Sequence, residues 1–378
     1  MKRTLTGVAI FVAGMMAGVA AWGLATSAQG TQGLKDLKRT EENDRLSRVS
    51  RTEKAEKAAS LEKLRGWRKG KGWGWIWGKE DELGSLNALT DESRAAALKL
   101  AKTGETFDLG QTYSRESFKW PGHSPGEIIT FRSPDGIARM KDKDAMPDAI
   151  NADKVNWHSA AIFISDNVAT QIDGLAHITA GDDFHWYNGF KESEWGGDWG
   201  PRKCDANTIP PIVARGILID VAAFKNVDAL PSHTAITQKD LEEALARQNV
   251  SIEPGDVVLV RTGAGRYWGE VGADHTKIAE FDSAGPDLAA TRWLVEEQGA
   301  IMVGSDTSGY EVNPPSQKSA TPIPVHRYLL VDQGVHLGEL HNLEGLSKAK
   351  AYVFCYIALV NKIKGAAAGF TLRPIALQ

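Results

Sequence analysis

Five stretches carry continuous or alternating apolar residues rich in β-branched and aromatic types: "AAIFIS", "GILIDVA", "DVVLVRT", "AIMVGSD" and "KAYVFCYIALV". Runs of this length and composition predict strands. Helical periodicity is rarer. Thr90 can cap a helix over "DESRAAALKLAK", and Thr237 with Asp240 opens another over "QKDLEEALARQ". "PDLAATRWLVEEQ" predicts a third, with Pro286 in its first turn, where a missing N–H costs nothing. Strands outnumber helices, and no repeat of about 20 to 50 residues is visible. The pattern predicts an α/β or α+β domain with much sheet.

The first 28 residues follow a different rule. "MKRTLTGVAIFVAGMMAGVAAWGLATSA" has a basic start, an uncharged run and a small-residue end, the layout of a secretory signal cleaved after Ala28. An uncleaved membrane anchor is the alternative, since the run from Leu5 to Ala25 has the length to span a bilayer. The folded part is therefore expected to be exported, periplasmic or secreted, with no stable membrane insertion once the signal is removed. Residues 29–66 are dense in charge without a continuous apolar stripe, and read as a linker or solvated helix. Residues 67–378 are expected to form the domain, entered through a segment holding Trp67, Trp73, Trp75 and Trp77 that packs onto its surface.

Bulk composition narrows the classes. Of 378 residues, 42% are apolar, enough for a sizeable core, and the net charge of −4 gives no basic footprint for a nucleic-acid partner. Two cysteines make no disulfide framework. Cys355 would share a strand face with Val353 and Ile357, as a buried free thiol.

Candidate chemistry gathers in "VATQIDGLAHITAGDDFHWYNGF", residues 168–190, in a chain with only nine histidines. Period-two alternation puts Gln171 and Asp173 on one face of a strand, and His177 follows a glycine bend. An amide oxygen, a carboxylate and an imidazole converging at a strand end fit a divalent metal, and equally a hydrogen-bonded polar turn. Downstream, His326 opens an apolar helical run after two prolines, and Glu339 lies within "VHLGEL". A glutamate buried among Val, Leu and Gly is costly unless paired or metal-bound, which argues for Glu339 as a ligand. His336 and His341 read as surface or satisfied core histidines. His185, Trp186, Tyr187 and Asn188 either wall a pocket or pack on the loop. The Gly-x-Gly of "VVLVRTGAGRYWG" precedes no helix pattern and reads as a loop, and Asp306 in "VGSDTSG" supports a loop or the pocket.

These residues resemble the metal-dependent cyclase family, which includes bacterial kynurenine formamidases and isatin hydrolases. "NVATQIDGLAH" aligns with the family's histidine-rich motif on Asp173 and His177, but Asn167 and Gln171 stand where two histidines would be, as in a branch carrying Thr-Gln-x-Asp-x-Leu-x-His. "WGKEDELGSLNALT", "GDVVLVRTG", "VGSDTS", "VHRYLLVDQGVHLGEL" and "GFTLRPIAL" extend the likeness over about residues 73–378. The resemblance implies an α/β, swivelling β/β/α-like domain whose mixed sheets form a barrel-like core, assembled as a dimer or tetramer. It implies His326 as acid and base, with Asp173, His177 and Glu339 as ligands and Gln171 lending an amide oxygen to one divalent ion, zinc or manganese. The expected activity is hydrolysis of a small cyclic or aryl amide, lactone or ester by water that the metal activates. A lyase or dehydratase, or a non-catalytic binding protein on the same scaffold, are the alternatives.

Overall fold

The structure is a computed structural model that describes residues 77–378, except 120–122, 124–125, 141–147, 270–273 and 371. The predicted signal, the charged linker and Trp67, Trp73 and Trp75 lie outside the described residues. Among the described residues, no helix is long and apolar enough to cross a membrane.

Thirteen strands are described: β1 (Thr106–Asp108), β2 (Gly126–Arg132), β3 (Ser159–Ile164), β4 (Gln171–Asp173), β5 (Ile212–Asp220), β6 (Ala235–Ile236), β7 (Val257–Arg261), β8 (Gly285–Pro286), β9 (Met302–Ser305), β10 (His336–Glu339), β11 (Val353–Ala358), β12 (Ala368–Gly369) and β13 (Ile375–Leu377). Nine of them form one mixed sheet in the order β1-β13-β11-β5-β7-β9-β10-β4-β12. β5, β7, β9 and β10 run parallel at its centre, and antiparallel strands flank them on both sides. The sheet is strongly curled into a half-barrel, making this an α/β protein.

The apolar runs explain the centre. Parallel strands covered on both faces cannot alternate with polar residues, and β7 and β9 are buried at every position. All five strands predicted from apolar runs form, "AAIFIS" as part of a separate two-stranded ribbon of β2 and β3.

The helices follow their caps. Thr90 and Thr237 each close a capping box, opening α1 (Asp91–Leu98) and α2 (Gln238–Gln248). The third helix starts later than the sequence pattern suggests. Pro286 pairs with Ile236 in a short parallel bridge, and Asp287 caps α3 (Leu288–Arg292) by accepting from the Ala290 N–H at 2.8 Å. A carboxylate cap satisfies an orphan donor that proline in the first turn cannot. Cys204 and Cys355 are both free and buried.

Candidate metal centre

The register of β4 against β10 builds the site. Glu339 lies directly opposite Gln171, and Leu337 opposite Asp173. Gln171, Asp173 and Glu339 therefore share one face of the sheet. The Gln171 amide donates to Glu339 Oε2 at 2.6 Å across a sequence separation of 168 residues. Pro324 starts a short helix, Pro324–His326, continued as a π-helical stretch to Gln333, and this turn carries His326 to the same face. His326 Nε2 stands 3.2 Å from Glu339 Oε1 and 3.7 Å from Asp173 Oδ2. Asp173, His326 and Glu339 are all buried and offer three ligand atoms within 4.8 Å of one another.

The far side of the imidazole is closed by Glu311. Its carboxylate accepts from the backbone N–H groups of Val325 and His326, at 3.0 Å each, and meets His326 Nδ1 at 2.5 Å. That contact makes Nδ1 the donor to Glu311, so that Nε2, on giving up its proton, would present its lone pair toward Asp173 and Glu339. Asn167 donates to Asp173 Oδ1 at 3.1 Å, so the motif position that departs from the family pattern braces the aspartate.

Three buried carboxylates around one imidazole are electrostatically unbalanced. Burial opposes the charged ring of His326, but its hydrogen bonds to Glu311 and Glu339 and the charges of Glu339 and Asp173 outweigh it and raise its pKa. Burial, then the charge of Asp173, raise that of Glu339. No lysine or arginine among the described residues pairs with Asp173, Glu311 or Glu339. Asp173 Oδ2 and Gln171 Oε1 are buried without a hydrogen-bond partner among the described residues. An unpaired buried oxygen is expensive, and a divalent cation held by Asp173, His326 and Glu339 would satisfy Asp173 Oδ2 while offsetting the carboxylates. The donor set fits the implied ion.

A match to the family described as "Putative cyclase" spans residues 107–312, more than half of the chain. The chain belongs to the cyclase family. It is similar to a crystal structure described as a novel cyclase, with 29% identity and a TM-score of 0.68 over 81% of this chain and 99% of that one. Two isatin hydrolases share the cyclase fold more distantly. Isatin hydrolase A from Ralstonia solanacearum is 20% identical, with a TM-score of 0.52 over 76% of this chain and 97% of that one. An isatin hydrolase bound to the product analogue thioisatinate is 19% identical, with a TM-score of 0.52 over 77% and 99%. No curated protein sequence matches this one.

Within this cyclase, the residues proposed from sequence divide into two groups. Gln171, Asp173, His326 and Glu339 converge. His177 joins at the rim, with Nε2 3.8 Å from Asp173 Oδ2 and its side chain 20% exposed. The second group does not reach the site. Trp186 and Tyr187 are sealed in the core, and the Tyr187 hydroxyl donates to Asp81 at 2.6 Å. Asn188 donates to the carbonyls of Gly78 and Asp81, and His185 meets Asp183 at 2.6 Å. Tyr187 and Asn188 clasp the entering segment, while His185 is held within its own loop. Asp306 is consumed by the loop after β7, accepting from the Thr262 N–H, the Thr262 hydroxyl and the Gly263 N–H at 2.8 Å each. The loop reading of the Gly-x-Gly holds, as Gly263 adopts φ +88° ahead of a 3-10 turn.

Glu311 is the residue that sequence reasoning missed. The signal used for Glu339, a lone acid among apolar neighbours, is also present in "SGYEVN".

His336 and His341, beside Glu339, are fully enclosed. Burial lowers His336 to about 3, and burial, only partly opposed by a backbone hydrogen bond at Glu339, lowers His341 to about 4. A histidine depressed in the folded state contributes its full stability above its unfolded pKa near 6.5 and loses it as pH falls below that value. The stability of wild type relative to His336→Leu should therefore drop between pH 6.5 and 4, with a slope approaching ~1.4 kcal/mol per pH unit. Urea unfolding of both proteins across that range measures it, and a difference that stays flat with pH refutes it.

Proposed function

We propose that this cyclase is a metal-dependent hydrolase that opens a small cyclic or aryl amide, lactone or ester. The observation that carries the reading is the buried Asp173–His326–Glu339 cluster with its unpartnered Asp173 Oδ2. Asp173, Glu339 and His326 Nε2 would hold one divalent ion, with Gln171 Oε1 as a further oxygen. Mixed oxygen and imidazole donors suit zinc or manganese. Bound there, the ion supplies Lewis acidity toward a carbonyl and lowers the pKa of water.

The remaining work falls to the chain's own side chains. Glu311 fixes the tautomer of His326. With Nδ1 of His326 held by Glu311 and Nε2 given to the ion, the proton-transfer role implied for it by resemblance passes more naturally to His177. That imidazole stands at the rim beside Asp173 and is partly open to water, where it can take a proton and return it to a leaving alcohol or amine.

Elemental analysis of the purified protein, before and after chelation and alongside a hydrolysis screen of small amides, lactones and esters, tests the proposal. About one zinc or manganese ion per chain is expected, with hydrolysis lost on chelation and regained on adding metal. A chain that takes up no metal on reconstitution would retire the hydrolase reading.

A further inference from the structure

The segment from Val312 to Ile323, "VNPPSQKSATPI", holds no helix or strand and joins Glu311 to the helix of His326. Its ends meet. The Glu311 carboxylate before it accepts from the backbone N–H groups of Val325 and His326 after it, at 3.0 Å each. A surface loop of this length closed at its neck is an Ω-loop, a form that often carries function. The front leg is pinned at Asn313, whose N–H donates to the Ser283 carbonyl at 3.0 Å and whose carbonyl meets the His233 ring at 2.5 Å. The rear leg is pinned at Ile323, whose carbonyl accepts from the Arg327 N–H at 3.2 Å.

Between these pins little holds the crown of the loop. Among the described residues, no hydrogen bond or ion pair joins residues 314–322 to any residue outside the loop. The bonds they make are local, from the Thr321 N–H to the Ser319 hydroxyl at 3.2 Å and from the Ile323 N–H to the Thr321 hydroxyl at 3.4 Å. Most of the crown is exposed. Nor is it packed down. A cavity of about 250 Å³ lies against both legs, lined by Gly309, Glu311, Asn313, Pro322, Ile323 and His326. Glu311 also lines a smaller one of about 70 Å³, bounded by Pro315, Gln317 and Lys318 of the crown and by Asp287 and Leu288 of the domain. Interiors are ordinarily close-packed, so a segment lying over open space forgoes the dispersion contacts that would hold it. Few bonds and little packing mark the part of a fold that opens first.

We propose that residues 314–322 are a lid over the cavity beside His326, hinged at Asn313 and Ile323, which lifts to admit a small ring compound and is held down by it. That the compound is the substrate rests on the hydrolase proposal; the gating belongs to the loop itself. The neck lets the crown move while the cluster stays in place. Glu311 remains bonded to Val325 and His326 as the crown lifts, so the imidazole keeps its position toward Asp173 and Glu339. The size of the cavity limits the occupant. A cavity of ~150 Å³ takes a benzene ring, so about 250 Å³ suits one substituted ring or two fused rings. Such an occupant supplies the contacts that the open space denies the crown, and closure over it shields the reacting bond from bulk water.

Trypsin reads the lid directly, because Lys318 is the only lysine or arginine between Arg292 and Arg327. The full chain is digested with and without benzamide or the bicyclic lactam isoindolinone, and the cut after Lys318 is followed by mass spectrometry. Cuts within residues 29–66 report the activity of the protease. Saturation-transfer NMR gives the dissociation constant of each probe. At ten times that constant, a probe that needs the lid closed lowers the open fraction about tenfold, and cutting after Lys318 should slow by the same factor. Ile323→Trp, which fills the cavity from the rear leg, should abolish this protection while metal content matches wild type. A probe that binds while the Lys318 cut keeps its rate, or no saturation transfer to either probe at millimolar concentration, would overturn the proposal. The wild-type comparison decides it whether or not the variant folds. A chain whose lid the probes protect but which hydrolyses nothing would sink the hydrolase reading and leave the lid standing.

Discussion

Asp173→Asn should yield a folded protein that no longer retains its ion. The substitution keeps the volume of a fully buried side chain, and an amide oxygen can still accept from Asn167, so the half-barrel has no packing reason to fail. What it removes is one of the two carboxylates that would balance the charge of the proposed divalent ion. Losing a direct ligand should cost more than the 10- to 100-fold in affinity typical of an outer partner, so a loss above ~100-fold is expected. Elemental analysis after gel filtration should find well under one ion per chain, and hydrolysis should fall with metal content. A second readout is thermal stability. An ion held at a thousandfold excess over its dissociation constant stabilises a protein by ~4 kcal/mol. Wild type should gain that increment on adding metal, and Asp173→Asn should not. Full metal content in the variant would remove Asp173 from the ligand set and, with it, the basis of the proposed chemistry.

The sheet centre and the helix starts were legible because they are local. Apolar runs such as "DVVLVRT" carry their own burial signal, and a capping box is complete within four residues. Asp173 and Glu339 could be picked out because a buried acid is costly wherever it stands. The pairing of Gln171 with Glu339, by contrast, depends on a strand register across 168 positions that no periodicity encodes. The aromatic group after the motif stayed open between pocket wall and loop packing for the same reason. His185, Trp186, Tyr187 and Asn188 follow the ligand strand closely in sequence, but the partners that fix Tyr187 and Asn188 lie more than 100 positions earlier, at Gly78 and Asp81. Nearness along the chain allowed either reading, and the hydrogen bonds of Tyr187 and Asn188 make them a clasp. Asp306 divides similarly, since its supporting role was readable and only its contacts with Thr262 and Gly263 exclude a place in the cavity.

Glu311→Gln separates the placing of His326 from the ligation itself. The carboxylate meets three groups, the Val325 N–H, the His326 N–H and the Nδ1 of the ring, with both of its oxygens. Glutamine offers one oxygen and one NH₂, so at least one buried N–H must face a donor. Leaving such a group unsatisfied costs about 1–3 kcal/mol, which a denaturation curve will register as lower stability with the fold intact. The larger effect is on the ring. Without a carboxylate at Nδ1, His326 loses both the partner that fixes its tautomer and the charge that makes Nε2 a better donor. Metal affinity should fall by about 10- to 100-fold. Because the three ligand atoms themselves remain, excess metal should restore occupancy and most of the activity, whereas Asp173→Asn should stay deficient at the same concentration. A metal titration of activity for both variants distinguishes the cases. If Glu311→Gln binds metal as tightly as wild type, then His326 is oriented by the packing of its helix and not by Glu311.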